Sequence, residues 1–206
     1  MTLRLAGSTS GYAEIDAPAV AGNNTLILPG GNGTADQVLG GNGSGILSWV
    51  DRGRMTLATA QNTTSGTAID FTGIPSWVKK ITVMFNGVSI SGTSALIVQL
   101  GAGSFITSGY LSSSSYGTTA VNATTGMIAA SNITAATLQT GLFMVSNITG
   151  NTWISSAAVG ANAGAAIVAT SIGSVALSSI LDRLRLTTIN GTDTFDAGSV
   201  NILYEG

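Results

Sequence analysis

The sequence predicts an all-β chain, with a short extended N-terminal β segment followed by a β-sandwich of the jelly-roll type. Short runs rich in β-branched and aromatic residues recur roughly every ten residues, with Gly, Asn or Ser in most gaps. The N-terminal part shows no helical periodicity. The chain has 206 residues and 44% of them are apolar, so a buried core is expected in spite of 28 glycines.

The first part of the chain, residues 1–52, consists of short pieces that alternate apolar and polar side chains. LRLAG (3–7), YAEIDA (12–17) and NTLILP (24–29) have the period of two that is expected of strands. TADQVLGG (34–41) is expected to make one helical turn before its glycines stop it. A segment this small, without cysteines, cannot close its own core, so it is expected to depend on oligomerisation.

The glycine-rich stretch GGNGTADQVLGGNGSG (30–45) contains GGNG twice. A phosphate-binding P-loop needs a Gly-Lys-Ser/Thr ending, and no lysine lies nearby. A dinucleotide fingerprint needs a third glycine that opens a helix, but another glycine cluster follows here. We therefore interpret these glycines as turns.

The second part, residues 53–206, is predicted to be the sandwich domain. The boundary is placed at DRGRM (51–55), the densest charge cluster of the chain. Eight segments with strand composition are predicted in this domain: 67–71, 78–88, 95–101, 141–148, 152–160, 166–173, 182–189 and 199–205. The sequences of 85–101 and 143–160 are similar, which two related hairpins or chance in so biased a composition would both produce, and chance is the favoured interpretation. Lys79-Lys80 is expected to guard a strand against edge-to-edge pairing.

Charged residues make up only 8% of the chain, against roughly 25% in an ordinary globular domain. None lies between Lys80 and Asp182, and the net charge is −2. Such a chain is expected to hide much of its surface against copies of itself. The basic residues are scattered along the sequence, so no basic patch that would bind nucleic acid is expected. No apolar run reaches the ~18 residues of a membrane span. No Sec signal is predicted.

The residue types argue against an enzyme. Histidine is absent, which removes the most common general base. Asp193 and Asp196 in NGTDTFDAG (190–198) are the candidates for an acid pair or an ion site, but Asx-turn chemistry is the favoured interpretation. No catalytic residue, cofactor or metal ligand is predicted.

Aromatic residues offer one binding hypothesis. GYLSSSSYG (109–117) is interpreted as an uncharged flexible loop of the kind used for contact with glycans or partners. Tyr110, Tyr116 and Trp153 are the candidates for contact with a host surface or glycan, since exposed rings stack on sugars. Burial in the core is the competing interpretation, above all for the tryptophan.

Two stretches resemble proteins of tailed-bacteriophage virions. Residues 6–49 resemble a module of phage fibre and other virion surface proteins, and the motifs that carry the resemblance are Thr9-Ser10-Gly11, Ala17-Pro18, Ala21-Gly22 with Asn24-Thr25, Leu28-Pro29, Gly33-Thr34-Ala35 with Gln37-Val38-Leu39, and Gly45 with Leu47 and Trp49. FTGIPSWVKKITVMFNGVS (71–89) and LRLTTINGTDTFDAGSVNILYE (184–205) resemble a domain at the C-terminal end of many phage tail proteins.

The resemblance implies a virion protein, assembled in the host bacterial cytoplasm, that is expected to be a homotrimer without catalytic residues. The favoured role is a surface fibre or tail adhesin that contacts the host surface, including its polysaccharide. A capsid decoration (cement) protein is the alternative, and a polysaccharide-degrading spike is a remote third. The predicted contacts with other copies or with other virion proteins are Ile15, Leu26, Leu28 and Trp49.

Overall fold

The computed structural model describes residues 3–6, 8–15, 22–23, 25–35, 37–131, 133–135, 137–162 and 166–206. Within these ranges the regular elements are all β-strands, which confirms the predicted all-β class. The same residues include no helix long and apolar enough to cross a membrane. The chain divides into two compact units, Met1–Arg52 and Gly53–Gly206, at a boundary inside the charged DRGRM segment.

Two antiparallel hairpins lie within the described part of the N-terminal unit. β1 (Leu3–Ala6) pairs with β2 (Tyr12–Ile15), and β3 (Gln37–Gly41) pairs with β4 (Leu47–Asp51). The predicted helical turn over 34–41 is therefore wrong: pairing with β4 outweighs the local preference of this segment. The predicted strand over 24–29 is also wrong, because Ile27 forms only an isolated parallel bridge with Ile46.

The described residues of the C-terminal unit form fourteen strands. In chain order they are β5 (Met55–Leu57), β6 (Gln61–Asn62), β7 (Ala68–Thr72), β8 (Lys80–Ile90), β9 (Leu96–Ala102), β10 (Ser104–Phe105), β11 (Leu111–Tyr116), β12 (Thr119–Ala123), β13 (Met127–Ala130), β14 (Leu138–Thr149), β15 (Thr152–Asn162), β16 (Ala166–Ala176), β17 (Arg183–Thr188) and β18 (Phe195–Glu205). The eight predicted strands are all present, and β11, β12 and β13 are the longest of those that were missed.

These strands form two antiparallel sheets. The small sheet has the order β10-β9-β17-β7. β13 pairs with the same edge of β9 as β10 does, but with residues nearer the start of β9. The large sheet has the order β12-β11-β16-β15-β14-β8-β18-β5, and β6 also pairs with β18. Buried residues from both sheets join one apolar cluster, which includes Phe143, Trp153, Leu184 and Leu186. The predicted β-sandwich is confirmed.

The strand pairing follows the jelly-roll pattern. In a jelly roll, eight strands form four nested antiparallel pairs, first with last and so on inward. Here the nested pairs are β7 with β17, β8 with β14, β9 with β13, and β11 with β12. The seventh strand of the pattern is expanded into the meander β14-β15-β16, and β18 is added beside β8. With β5 beside β18, the path across the large sheet has eight strands, against four in a jelly-roll sheet.

Two features of the sandwich depend on strand pairing that is not local: the similarity of two segments, which does not reflect related hairpins, and the place of Lys79-Lys80, whose prediction is wrong. Residues 143–160 do lie in a hairpin, β14–β15, but 85–101 runs from β8 in the large sheet to β9 in the small sheet. Lys79-Lys80 does not guard a sheet edge. Lys80 lies in the sheet interior between Ser146 of β14 and Glu205 of β18, and its Nζ is 2.8 Å from Glu205 Oε2.

Candidate functional site

Tyr110 and Trp153, two of the predicted host-contact residues, are buried, so this prediction is wrong for both. Tyr110 is fully buried, and its hydroxyl accepts the Leu100 N–H at 2.8 Å and donates to the Ile106 carbonyl oxygen at 3.1 Å. Burial raises the pKa of Tyr110 to about 12, although the Leu100 hydrogen bond acts in the opposite direction. Trp153 lies in the core cluster between the sheets. Large rings that fill a core are unavailable for stacking on sugar.

The predicted flexible loop over 109–117 is also wrong, because most of it is strand β11. The side chains of the serines in β11 point alternately towards the core and towards the outside of the sheet. The inward-pointing serines form hydrogen bonds with β13 and with the residue that follows it. Ser112 Oγ accepts the Ile128 N–H at 2.8 Å, and Ser114 Oγ lies 2.8 Å from Ser131 Oγ. Tyr116 is half-buried at the tip of the β11–β12 hairpin, so it stays a candidate for contact.

The carboxylate of Asp193 belongs to a turn. Asn190 Oδ1 accepts the N–H groups of Thr192 and Asp193, which is the predicted Asx-turn chemistry. The Asp193 carboxylate accepts Asn190 Nδ2 at 2.7 Å and the Ser94 N–H at 3.0 Å, and these bonds lower its pKa. Asp196 is exposed on β18. Among the described residues, no three metal-ligating side chains come together.

A cluster of charged groups lies on the outside of the small sheet. Arg185 makes a two-pronged ion pair with Asp70, at 2.7 and 2.8 Å, and its guanidinium lies 4.1 Å from the centroid of the Phe105 ring. Arg183 makes a similar pair with Asp182, at 2.7 and 3.1 Å, and this hydrogen bonding lowers the pKa of Asp182. Each guanidinium of the cluster is paired with a carboxylate, so ion pairing within the fold accounts for the cluster.

The N-terminal unit leaves its predicted contact residues exposed. Ile15, Leu26 and Leu28 are between 63% and 69% exposed, and no described residue of this unit is buried. Trp49 is 38% exposed, and its indole N–H donates to the Gly31 carbonyl oxygen at 2.7 Å.

The glycines of the first GGNG allow a close approach to Trp49. A Cβ on Gly33 would lie 2.6 Å from the Trp49 ring, so only glycine fits beneath the indole. The second GGNG begins in strand β3 and ends in a turn at Gly43, where φ is +81°. The glycine-rich stretch thus serves both close packing and turns.

The outer face of the large sheet is the most distinctive surface of the C-terminal unit. By "outer face" we mean the side of β14, β15, β16 and β11 that points away from the core. No charged residue occurs on these four strands or on β12. The exposed apolar side chains of this face include Leu111 (73%), Leu142 (49%), Met144 (39%), Ile154 (42%), Val168 (62%) and Ile172 (66%).

A groove of about 610 Å³ runs along the outer face where β15 and β16 meet β11 and β12. The outward side chains of Leu111, Ile154 and Ile172 line it, together with Asn122 and Thr124 from the β12 side. Its wall holds no charged group. Sequence reasoning missed this groove because Leu111 was assigned to a loop. The long uncharged segment between Lys80 and Asp182 was the signal that pointed to it.

No protein-family model, curated protein sequence or solved structure matches the chain. Part of the N-terminal motif set, Ala17-Pro18, Ala21 and Asn24, lies outside the described residues. The resemblance to phage virion proteins therefore rests on sequence motifs, and the function has to be inferred from the exposed surfaces.

Proposed function

We propose that the chain is a non-enzymatic structural protein of a tailed-phage virion. In this proposal it forms a homotrimeric surface fibre or tail adhesin that contacts the host surface, and it is located in the virion. The observation that carries the proposal is the N-terminal unit, in which no described side chain is buried. Its partners are other copies of the chain and neighbouring virion proteins.

A unit of this kind gains little from folding alone. Burying one Leu or Ile side chain contributes roughly 1.5–3 kcal/mol, and that contribution is absent while Ile15, Leu26 and Leu28 face water. The same side chains stabilise the unit when copies wrap around one axis and share apolar surface. Such wrapping is the arrangement that the resemblance to fibre modules implies.

The C-terminal sandwich is the part that we assign to the host surface. Its Tyr116 lies at the tip of a hairpin of uncharged residues, where a half-exposed ring suits polysaccharide. A capsid decoration protein is the alternative, with the N-terminal unit gripping the shell and the sandwich standing out as a knob. A polysaccharide-degrading spike is a remote third, because Asp193 is engaged in its turn.

Two measurements test this proposal. Light scattering of the purified protein should give three times the chain mass of 20.5 kDa, and a stable monomer at micromolar concentration would contradict the homotrimer. Antibody against residues 53–206 should then label the tail of the phage particle in electron micrographs. Label spread over the head would identify a decoration protein, and an unlabelled particle would refute the virion role.

A further inference from the structure

The outer face carries a regular pattern of large and small side chains. The strand register aligns one outward residue from each of β14, β15, β16 and β11 into a row across the sheet. Two neighbouring rows are Ser146-Ile154-Ser174-Leu111 and Met144-Ser156-Ile172-Ser113. Bulky apolar residues therefore alternate with serine along each row and from one row to the next. We call this pattern the checkerboard.

The outer face exposes about as much apolar surface as the largest patch on a typical monomer. Taking about 180 Å² for a whole exposed aliphatic residue, the six apolar residues named above expose at most about 600 Å². The largest apolar patch on a typical monomer is about 300–600 Å², and one partner contributes about 800 Å² to a stable interface, a little over half of it apolar. With the serines between these residues, the whole outer face corresponds to one partner's share of such an interface, and a three-membered ring divides it between two neighbours.

We propose that this face is the contact between copies of the chain, with Leu142 and Met144 on β14 of one copy packed against the groove of the next. This inference rests on the proposed homotrimer and names its interface in the sandwich. In a three-membered ring each contact joins two different patches. The outer face offers two such patches: the β14 side carries Leu142 and Met144, and the β16–β11 side holds the groove of about 610 Å³.

A second copy fits this face better than other occupants do. The alternation of bulky residues with serine is a pattern that a second copy of the same face can match, large side chain against small. A charged partner finds no opposite charge here, since the strands of the face carry none. A glycan finds no exposed ring in the groove, since the Tyr110 ring in its wall is buried.

Cysteine labelling tests the contact in the full chain, which has no cysteine of its own. The substitution Ile172→Cys places a thiol in the middle of the checkerboard. The matched control Ile180→Cys places one in the loop after β16. The two isoleucines are similarly exposed in the single chain, at 66% and 58%. A maleimide should react at least about tenfold more slowly at position 172 in the native assembly, and equally fast at both positions after unfolding.

The outcomes separate this inference from the proposed function. Equal labelling of the two native variants in a protein that is trimeric by light scattering would overturn the interface and leave the trimer standing. A monomeric wild type would overturn both. Protection at position 172 that is present in the trimer and lost on dilution to monomers identifies another copy as the occupant.

A charge in the same place gives a second readout. Ile172→Lys should raise the dissociation constant of the trimer by more than about 100-fold, because an unpaired charge would be buried in the contact. Ile180→Lys should leave the trimer unchanged. The side chain is exposed within one chain, so circular dichroism should show the wild-type fold. A folded Ile172→Lys variant with wild-type association would overturn the proposal.

Discussion

The hydroxyl of Tyr110 is expected to stabilise the sandwich by completing the edge of strand β9. On this edge β10 pairs with residues 101–102 and β13 pairs with residues 96–98, which leaves Leu100 between them without a strand partner. The Leu100 carbonyl accepts the Ile106 N–H at 2.9 Å, and the Leu100 N–H donates to the Tyr110 hydroxyl at 2.8 Å. The substitution Tyr110→Phe removes only that hydroxyl.

The expected loss in Tyr110→Phe is about 1–3 kcal/mol of unfolding free energy at pH 7, since a buried backbone N–H is left unsatisfied. The contribution also depends on pH. The pKa of Tyr110 is raised from 10.0 to about 12 in the folded chain, so the folded state favours the neutral phenol. Stability from this group is fully present below pH 10 and is lost as the pH rises through 12. The full shift corresponds to roughly 2–3 kcal/mol.

Urea unfolding of wild type and Tyr110→Phe at pH 7, 9 and 11, at one protein concentration, measures both effects. The difference in unfolding free energy between wild type and Tyr110→Phe should shrink by about 1.4 kcal/mol for one pH unit above 10, because only the wild type has this phenol to ionise. Tyr116→Phe is the control, since its half-buried ring lies at a hairpin tip. A Tyr110→Phe variant within about 0.5 kcal/mol of wild type at pH 7, or a constant difference up to pH 11, would refute the reasoning.

Two further predictions concern turns and glycines. Asp193→Ala should lower the unfolding free energy by about 1 kcal/mol at pH 7, whereas Asp196→Ala, at an exposed position, should change it by less than about 0.5 kcal/mol. A chelator should leave the unfolding free energy of both variants unchanged. Because hydrogen bonding lowers the pKa of Asp193, the destabilisation by Asp193→Ala should be present above pH 4 and vanish as the pH falls further. Equal losses of unfolding free energy in Asp193→Ala and Asp196→Ala would argue for an acid pair instead. Gly33→Ala should displace the Trp49 indole and speed exchange of its N–H in NMR spectra, whereas Gly31→Ala, with nothing within 4 Å of the added Cβ, should not. An unchanged Trp49 resonance in Gly33→Ala would contradict the close-packing role.

The sequence alone was sufficient for the class and for most strands of the sandwich. Segments such as 141–148 and 182–189 carry β-branched and aromatic residues between turn residues, and both lie in strands of the fold. The turn role of Asn190 was equally readable, because an Asx-turn is made by neighbours in the chain. The charge count was also visible without a structure. These features depend on local conformation or on composition, which the order of residues determines directly.

The tertiary structure decided which side of each strand is buried and which strands meet. The serines of β11 suggested a loop, but pairing with β16 and hydrogen bonds to β13 make that segment a strand with two different faces. Tyr110 was a candidate for the surface until the gap at the edge of β9 placed its hydroxyl in the core. Met144 and Ile172 are far apart in the chain, and only the register through Ser156 sets them in one row. Strand register is a long-range property. Each strand has two edges and two faces, and the local sequence does not determine which strands pair with its edges or which of its faces is buried.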